Sequence, residues 1–211
     1  MRRGGGIALL AVLLAGAPLA GQSRLSLGVE LGYTIADFSG PGAAGVRQRT
    51  GATAGAYLRV PLARWIGVQS GLFLASKGGA TLVTPTGGGA PVRFEIDLAY
   101  VELPVLLRAR IPTPGGLRLI LTGGAVPGVR IGCNVEFFQG GVSFLRESCG
   151  NISTAQFEDW DIAWLAGAGL GIPIERSELA LEARLSQGLR RVTDQGDFQN
   201  RNLTLFVSVP F

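Results

Sequence analysis

Histidine is absent from the 211 residues. That closes the Ser-His and Cys-His routes to nucleophilic catalysis and removes the commonest protein metal ligand. Cysteine occurs only twice, at Cys133 and Cys149, and charged residues make up 16% of the chain. No basic stripe with interleaved aromatics is present, which argues against nucleic acid as a partner. Long apolar runs are also missing. Beyond the N-terminus none approaches the ~20 residues that a membrane-spanning helix needs, so the helical membrane class is excluded. What the chain has in quantity is glycine, 33 residues, and short stretches in which apolar side chains alternate with polar or small ones. Its length suits one domain or one barrel of moderate size.

The first residues read as a secretory signal peptide. Arg2 and Arg3 precede an apolar run over 7–15 and a small-residue segment over 16–21. Residues 1–21 are therefore expected to be removed, leaving 22–211 as a single barrel domain. No cysteine lies at the cleavage region, so a lipoprotein anchor is not indicated.

The remainder alternates with period two, the signature of strands whose faces meet different surroundings. The first strand sets Leu25, Leu27, Val29, Leu31 and Tyr33 against Ser26, Gly28, Glu30, Gly32 and Thr34. The second opposes Ala52, Ala54, Ala56, Leu58 and Val60 to Thr53, Gly55, Tyr57 and Arg59; the third opposes Ile66, Val68, Leu72 and Leu74 to Gly67, Gln69, Gly71 and Lys77. In the fourth, Val92, Phe94, Ile96, Leu98 and Tyr100 are expected outward and Arg93, Glu95 and Asp97 inward. The phase then changes, with Val101, Leu103, Val105 and Leu107 apolar, which predicts a β-bulge within 100–104. Further alternation continues from Leu117, from Ile162, from Leu179 and from Leu203, eight strands in all. Connectors 1–2, 3–4, 5–6 and 7–8 are long and those between are short, the pattern of a closed antiparallel barrel in an outer membrane. Tyr33, Trp65, Tyr100, Trp160, Trp164 and Phe211 fall near strand ends, as interfacial girdles would. The longest connector, 131–159, holds both cysteines. In an exported chain they are expected to form a disulfide, and closing 16 residues would constrain the loop by about 3 kcal/mol in the chain-entropy model. Phe137, Phe138, Phe144 and Phe157 in that connector would pack on the rim or form a contact patch, with rim packing favoured.

Two glycine-rich stretches mimic cofactor motifs. Gly87-Gly88-Gly89 lacks the Lys-Ser/Thr ending of a phosphate cradle, and Gly167-Ala168-Gly169-Leu170-Gly171 keeps strand alternation with no helix after it, so no cofactor is expected.

Tyr100-Val101-Glu102-Leu103-Pro104-Val105-Leu106-Leu107 resembles the Tyr-x-Glu-ϕ-Pro-ϕ-Leu-Leu motif of a family of small bacterial outer-membrane β-barrels, labelled "porin family" or "outer membrane protein beta-barrel domain". Gly71-Leu72-Phe73-Leu74-Ala75-Ser76-Lys77-Gly78 is similar to that family's Gly-ϕ-x-ϕ-x-x-Lys-Gly stretch. The last strand, with Val207, Val209 and a terminal Phe211, resembles the C-terminal insertion signal of such barrels, although Pro210 departs from the usual penultimate residue. The resemblance implies an all-β, eight-stranded up-and-down barrel in the outer membrane of a Gram-negative-type bacterium. It further implies membrane lipid as surroundings and the barrel assembly machinery as partner of the last strand. Two enzyme classes known on such barrels, lipid A acyl-modifying enzymes and phospholipases, rely on histidine-containing sites, and this chain has no histidine, which leaves only an Asp/Glu mechanism open.

Inward positions carry Glu30, Arg59, Arg93, Glu95, Asp97, Glu102, Arg108, Arg118, Arg130, Asp161, Glu182 and Arg184. An eight-stranded barrel is just wide enough for side chains to fill it, and opposite charges in that space would pair. The expectation is a non-catalytic barrel with a structural or surface-contact role and a charge-filled interior. A narrow channel lined by the same groups is the alternative. A secreted lipocalin-like barrel, with the apolar face turned inward, is the second. Glycines and charges crowding one face argue for lipid outside.

Overall fold

The computed structural model describes residues 25–84, 90–152, 157–174, 177–194 and 196–211. The expected signal segment 1–21 and the glycine run at 87–89 lie outside these. Ten strands follow in order: β1 (Ser26–Ser39), β2 (Arg49–Pro61), β3 (Ile66–Val83), β4 (Val92–Glu102), β5 (Val105–Pro112), β6 (Arg118–Gln139), β7 (Val142–Ser148), β8 (Trp160–Ile174), β9 (Ser177–Gly188) and β10 (Gln199–Pro210). Every pairing between them is antiparallel.

β4 and β5 are two halves of one strand. Both pair with β3 and with β6, and the register runs on unbroken from Glu102↔Gly128 to Val105↔Ala125. The gap between them holds Pro104, which has no N–H to give to the ladder. Counting the two as one, and following β1, β2, β3, β4/β5, β6, β8, β9 and β10, the sheet closes on itself through the β1–β10 pairing, from Gly28↔Pro210 to Ser39↔Gln199. The result is an eight-stranded barrel without an open edge in its wall. The links 62–65 and 113–117, with the strand ends Ile174 and Ser177, lie at one end. The longer connectors lie at the other.

Alternation decides what each face meets. Leu27, Val29, Leu31, Leu72, Leu74, Leu181, Leu203, Leu205 and Val207 are exposed around the wall, whereas Glu30, Gln69, Lys77, Arg108, Glu182 and Arg184 are buried inside. An apolar band of this extent on an isolated wall marks a surface made for lipid rather than water. Tyr33, Trp65, Trp160, Trp164 and Phe211 face outward near the ends, as girdle residues do.

Two features of the wall depart from the alternation read along the sequence. The register shift falls between Ala99 and Tyr100, and the extra residue is Ile131 on β6, since Ala99 opposes Gly132 and Tyr100 opposes Arg130. β4 itself keeps one phase through Pro104. Leu98 and Tyr100 are therefore buried inside, so Tyr100 is not a girdle residue. The second departure is the long connector. β6 continues to Gln139, turns at Gly140 and Gly141, and returns as β7, a hairpin that pairs with β6 beyond the ring. Both turn glycines have positive φ, 60° and 83°, which a two-residue hairpin loop of this kind requires and side-chain-bearing residues resist.

Candidate functional site: the charged interior and the capped outer mouth

The interior of so narrow a barrel has little water to solvate charge, so each buried carboxylate needs a cation held in place. β1 supplies Glu30 and β9 supplies Arg184, whose Nη1 and Nη2 lie 2.6 and 2.9 Å from the Glu30 oxygens. Ser208 Oγ and Gln69 Nε2 donate to the same carboxylate at 2.9 and 3.0 Å. Glu182, two residues from Arg184, takes Arg108 Nη1 at 2.6 Å and also pairs with Arg184 Nε. Arg59 donates to the Gln69 amide oxygen through Nη2 at 3.0 Å. The Arg184 guanidinium lies 4.4 Å from the Phe206 ring centroid, and Phe206, Tyr57 and Phe73 form a buried aromatic cluster. Phe206 thus breaks the polar face of β10 for a reason: it supplies an aromatic face for a cation.

Toward the outer mouth, Thr34 shares hydrogen bonds of 3.0 Å with Thr53 and with Thr204. Above that layer Lys77 Nζ sits 2.7 Å from Glu102 and 3.2 Å from Asp161, and 4.7 Å from the Tyr100 ring centroid. Asn200 Nδ2 donates to Asp161 at 3.0 Å. The mouth is then stopped by Phe38, Leu98, Tyr100 and Val192, with Ala43, Val46, Ile96, Cys133, Phe157 and Phe198 packed against them. At the opposite, short-turn end Glu178 takes Arg118 at 2.5 Å and Arg110 at 3.7 Å.

The structure thus puts Glu30, Arg59, Glu102, Arg108, Asp161, Glu182 and Arg184 together inside. Arg118 lies at the short-turn rim, and Arg130 at the outer rim donates to the carbonyls of Phe157 and Glu158. Arg93, Glu95 and Asp97 are not interior groups, a correction to the alternation read along β4. They occupy the face opposite Leu98 and Tyr100, where Arg93 pairs with Glu95 at 2.7 Å, Arg49 with Asp97 at 3.1 Å and Arg146 with Asp97 at 3.9 Å. The apolar cap accounts for this: it accepts Ile96, Leu98 and Tyr100 and turns their neighbours out. Lys77, Gln69 and Glu178 also belong to the network, although they were not among the expected interior charges. The signals were their polar-face positions and, for Lys77, its place in the Gly-ϕ-x-ϕ-x-x-Lys-Gly stretch.

At the outer mouth, Cys133 and Cys149 form a disulfide that ties β6 to the short helix α1 (Cys149–Ile152) after β7. Phe94, Phe137 and Phe144 make a chain of ring contacts along the hairpin, with centroids 4.7 and 6.2 Å apart. Phe157 packs on the cap, whereas Phe144 is 58% exposed. Rim packing and an open contact surface are both present, on different residues.

Residues 18–194 match the family described as outer membrane protein beta-barrel domain. No curated protein matches the chain. Among solved structures it is similar to Neisserial surface protein A, at 12% identity over 89% of this chain and 99% of that one, with a TM-score of 0.49. It is also similar to the attachment invasion locus protein Ail of Yersinia pestis, at 15% identity over 88% and 98%, TM-score 0.42. A third is OprG of Pseudomonas aeruginosa, at 13% identity over 90% and 98%, TM-score 0.44.

Proposed function

The chain belongs to the outer-membrane β-barrel family and is a protein of the Gram-negative outer membrane; from that premise we propose that it is a closed, non-catalytic barrel whose outer surface carries its role. The observation that supports this most directly is the state of the interior. Each interior carboxylate among the described residues, Glu30, Glu102, Asp161, Glu178 and Glu182, is held by at least one cation. A carboxylate so held is poorly placed to exchange a proton with a substrate. The void between the charged layers, bounded by Thr53, Lys77, Glu102, Arg184 and Phe206, measures about 30 Å³, room for water rather than solute. Above it sits the apolar cap, which opposes ion passage.

The outer hairpin is the surface that this reading favours for contact. Val142 and Phe144 project from it, and the Cys133–Cys149 bond holds its base. The assembly machinery that inserts such barrels is the expected partner of β10 and the residue after it, where Val207, Val209 and Phe211 face outward.

Planar-bilayer recording of the refolded protein tests the closed barrel against a narrow channel. The expected record is flat. A steady unitary conductance that disappears in Arg108→Ala or Arg184→Ala would replace the closed barrel with a pore.

A further inference from the structure

Although every interior carboxylate is matched, the cations are not. At the short-turn end the described residues bring together Arg59, Arg64, Arg108, Arg110, Arg118 and Arg184 against only Glu30, Glu178 and Glu182. The acids are all taken: Glu30 by Arg184, Glu182 by Arg108 and Arg184, Glu178 by Arg110 and Arg118. Arg59 is left with an amide oxygen and the ring of Tyr57 at 4.9 Å, and Arg64 with the ring of Trp65 at 5.4 Å. Arg108 is 1% exposed, yet only its Nη1 has a partner; Nε and Nη2 are buried without one. A guanidinium in that state carries a large desolvation cost.

Four of these cations face a cavity of about 60 Å³, set apart from the wider opening beside it that Arg110, Arg118 and Glu178 line. Arg59, Arg64, Arg108 and Arg110 line the smaller cavity, with Ser26 and Trp65, and no carboxylate does. By the connector pattern the short turns face the periplasm, and Trp65 stands at the girdle level where lipid headgroups lie. We infer that this cavity is an oxyanion site at the periplasmic mouth, built to take one phosphate group. Four guanidinium groups on a small cavity match the charge and the several acceptor oxygens of that group, and charge-assisted bonds of this kind are the strong ones. The bound group would satisfy Arg108 and offset the surplus charge. The phosphate has two possible sources, free anion from the periplasm or a phospholipid headgroup of the inner leaflet.

The test uses the full mature chain refolded in dodecyl maltoside micelles, which contain no phosphate, in a W160F/W164F background so that Trp65 alone reports. Inorganic phosphate is titrated at constant ionic strength against chloride, and phosphatidylglycerol is added in a separate series. A saturable Trp65 change with inorganic phosphate assigns a free-anion site; one with phosphatidylglycerol alone assigns a headgroup site. In either case Arg64→Ala/Arg110→Gln, which alters only rim groups, raises the apparent Kd by about tenfold or more through the loss of two charged contacts. Gel mobility checks that this variant remains a folded barrel. Equal response to chloride, no saturable response to either ligand, or an unchanged Kd in the folded double variant overturns the site.

Discussion

Arg184 and Glu30 stand on strands that do not touch. β9 and β1 are separated by β10, and the guanidinium spans it, lying over Phe206 of β10 to reach the carboxylate at 2.6 Å. One ion pair thereby ties three consecutive members of the ring across the seam where the barrel closes.

Breaking this pair on one side strands a buried charge. Glu30→Gln or Arg184→Met alone is expected to lower unfolding stability by about 3–5 kcal/mol. The double variant should recover part of that loss. Urea unfolding in lipid vesicles measures all three; single losses that simply add in the double variant would mean that the two residues do not depend on each other.

The lipid-facing assignment makes a depth-dependent claim. Leu74 is 59% exposed on the outer wall. Leu74→Arg should cost about 2–4 kcal/mol if it lies near the bilayer midplane, and Leu74→Phe much less. Equal stability of Leu74→Arg and the parent in vesicles would place that face away from lipid.

Gly78 explains part of the motif that ends on it. Its φ is +130°, and a Cβ there would collide with the carbonyl oxygen of Ile96 on the paired strand. Gly78→Ala is expected to destabilise the barrel by about 1–3 kcal/mol. The neighbouring Lys77 then loses its setting between Glu102 and Asp161. Boiled and unboiled gel mobility over a temperature series should show the folded band lost at lower temperature; coincident curves would leave the glycine without a structural role.

The disulfide acts outside the ring. Cys133→Ser/Cys149→Ser should leave the heat-shifted gel band of the barrel in place while speeding proteolytic cleavage within 139–152 several-fold. The bond closes its loop above the wall and contributes about 3 kcal/mol to that segment in the chain-entropy model. Loss of the barrel band itself would show that the hairpin supports the wall.

Much of this architecture was legible along the chain. Alternation in Leu25–Tyr33 and Leu203–Val209, the connector lengths and the cysteine pair indicated a closed barrel with a bonded outer loop. The outer half of β4 was not legible, for a local reason. Val92, Phe94, Ile96, Leu98 and Tyr100 look like a lipid face, and nothing near them in sequence says that a cap of Phe38 and Val192 waits inside. The compensating residue, Ile131, lies on another strand.

By itself, the sequence determined that there are two faces, one apolar and one charged or small, because side chains alternate along any extended strand. It also determined that no histidine-dependent chemistry is available. Tertiary structure decided which face of β4 points inward and which charges meet. Alternation sets only relative faces within a strand; the absolute choice comes from neighbours. Pairs such as Arg184 and Glu30, 154 residues apart, exist only once the ring has closed, where the shortage of water makes each buried charge select a partner.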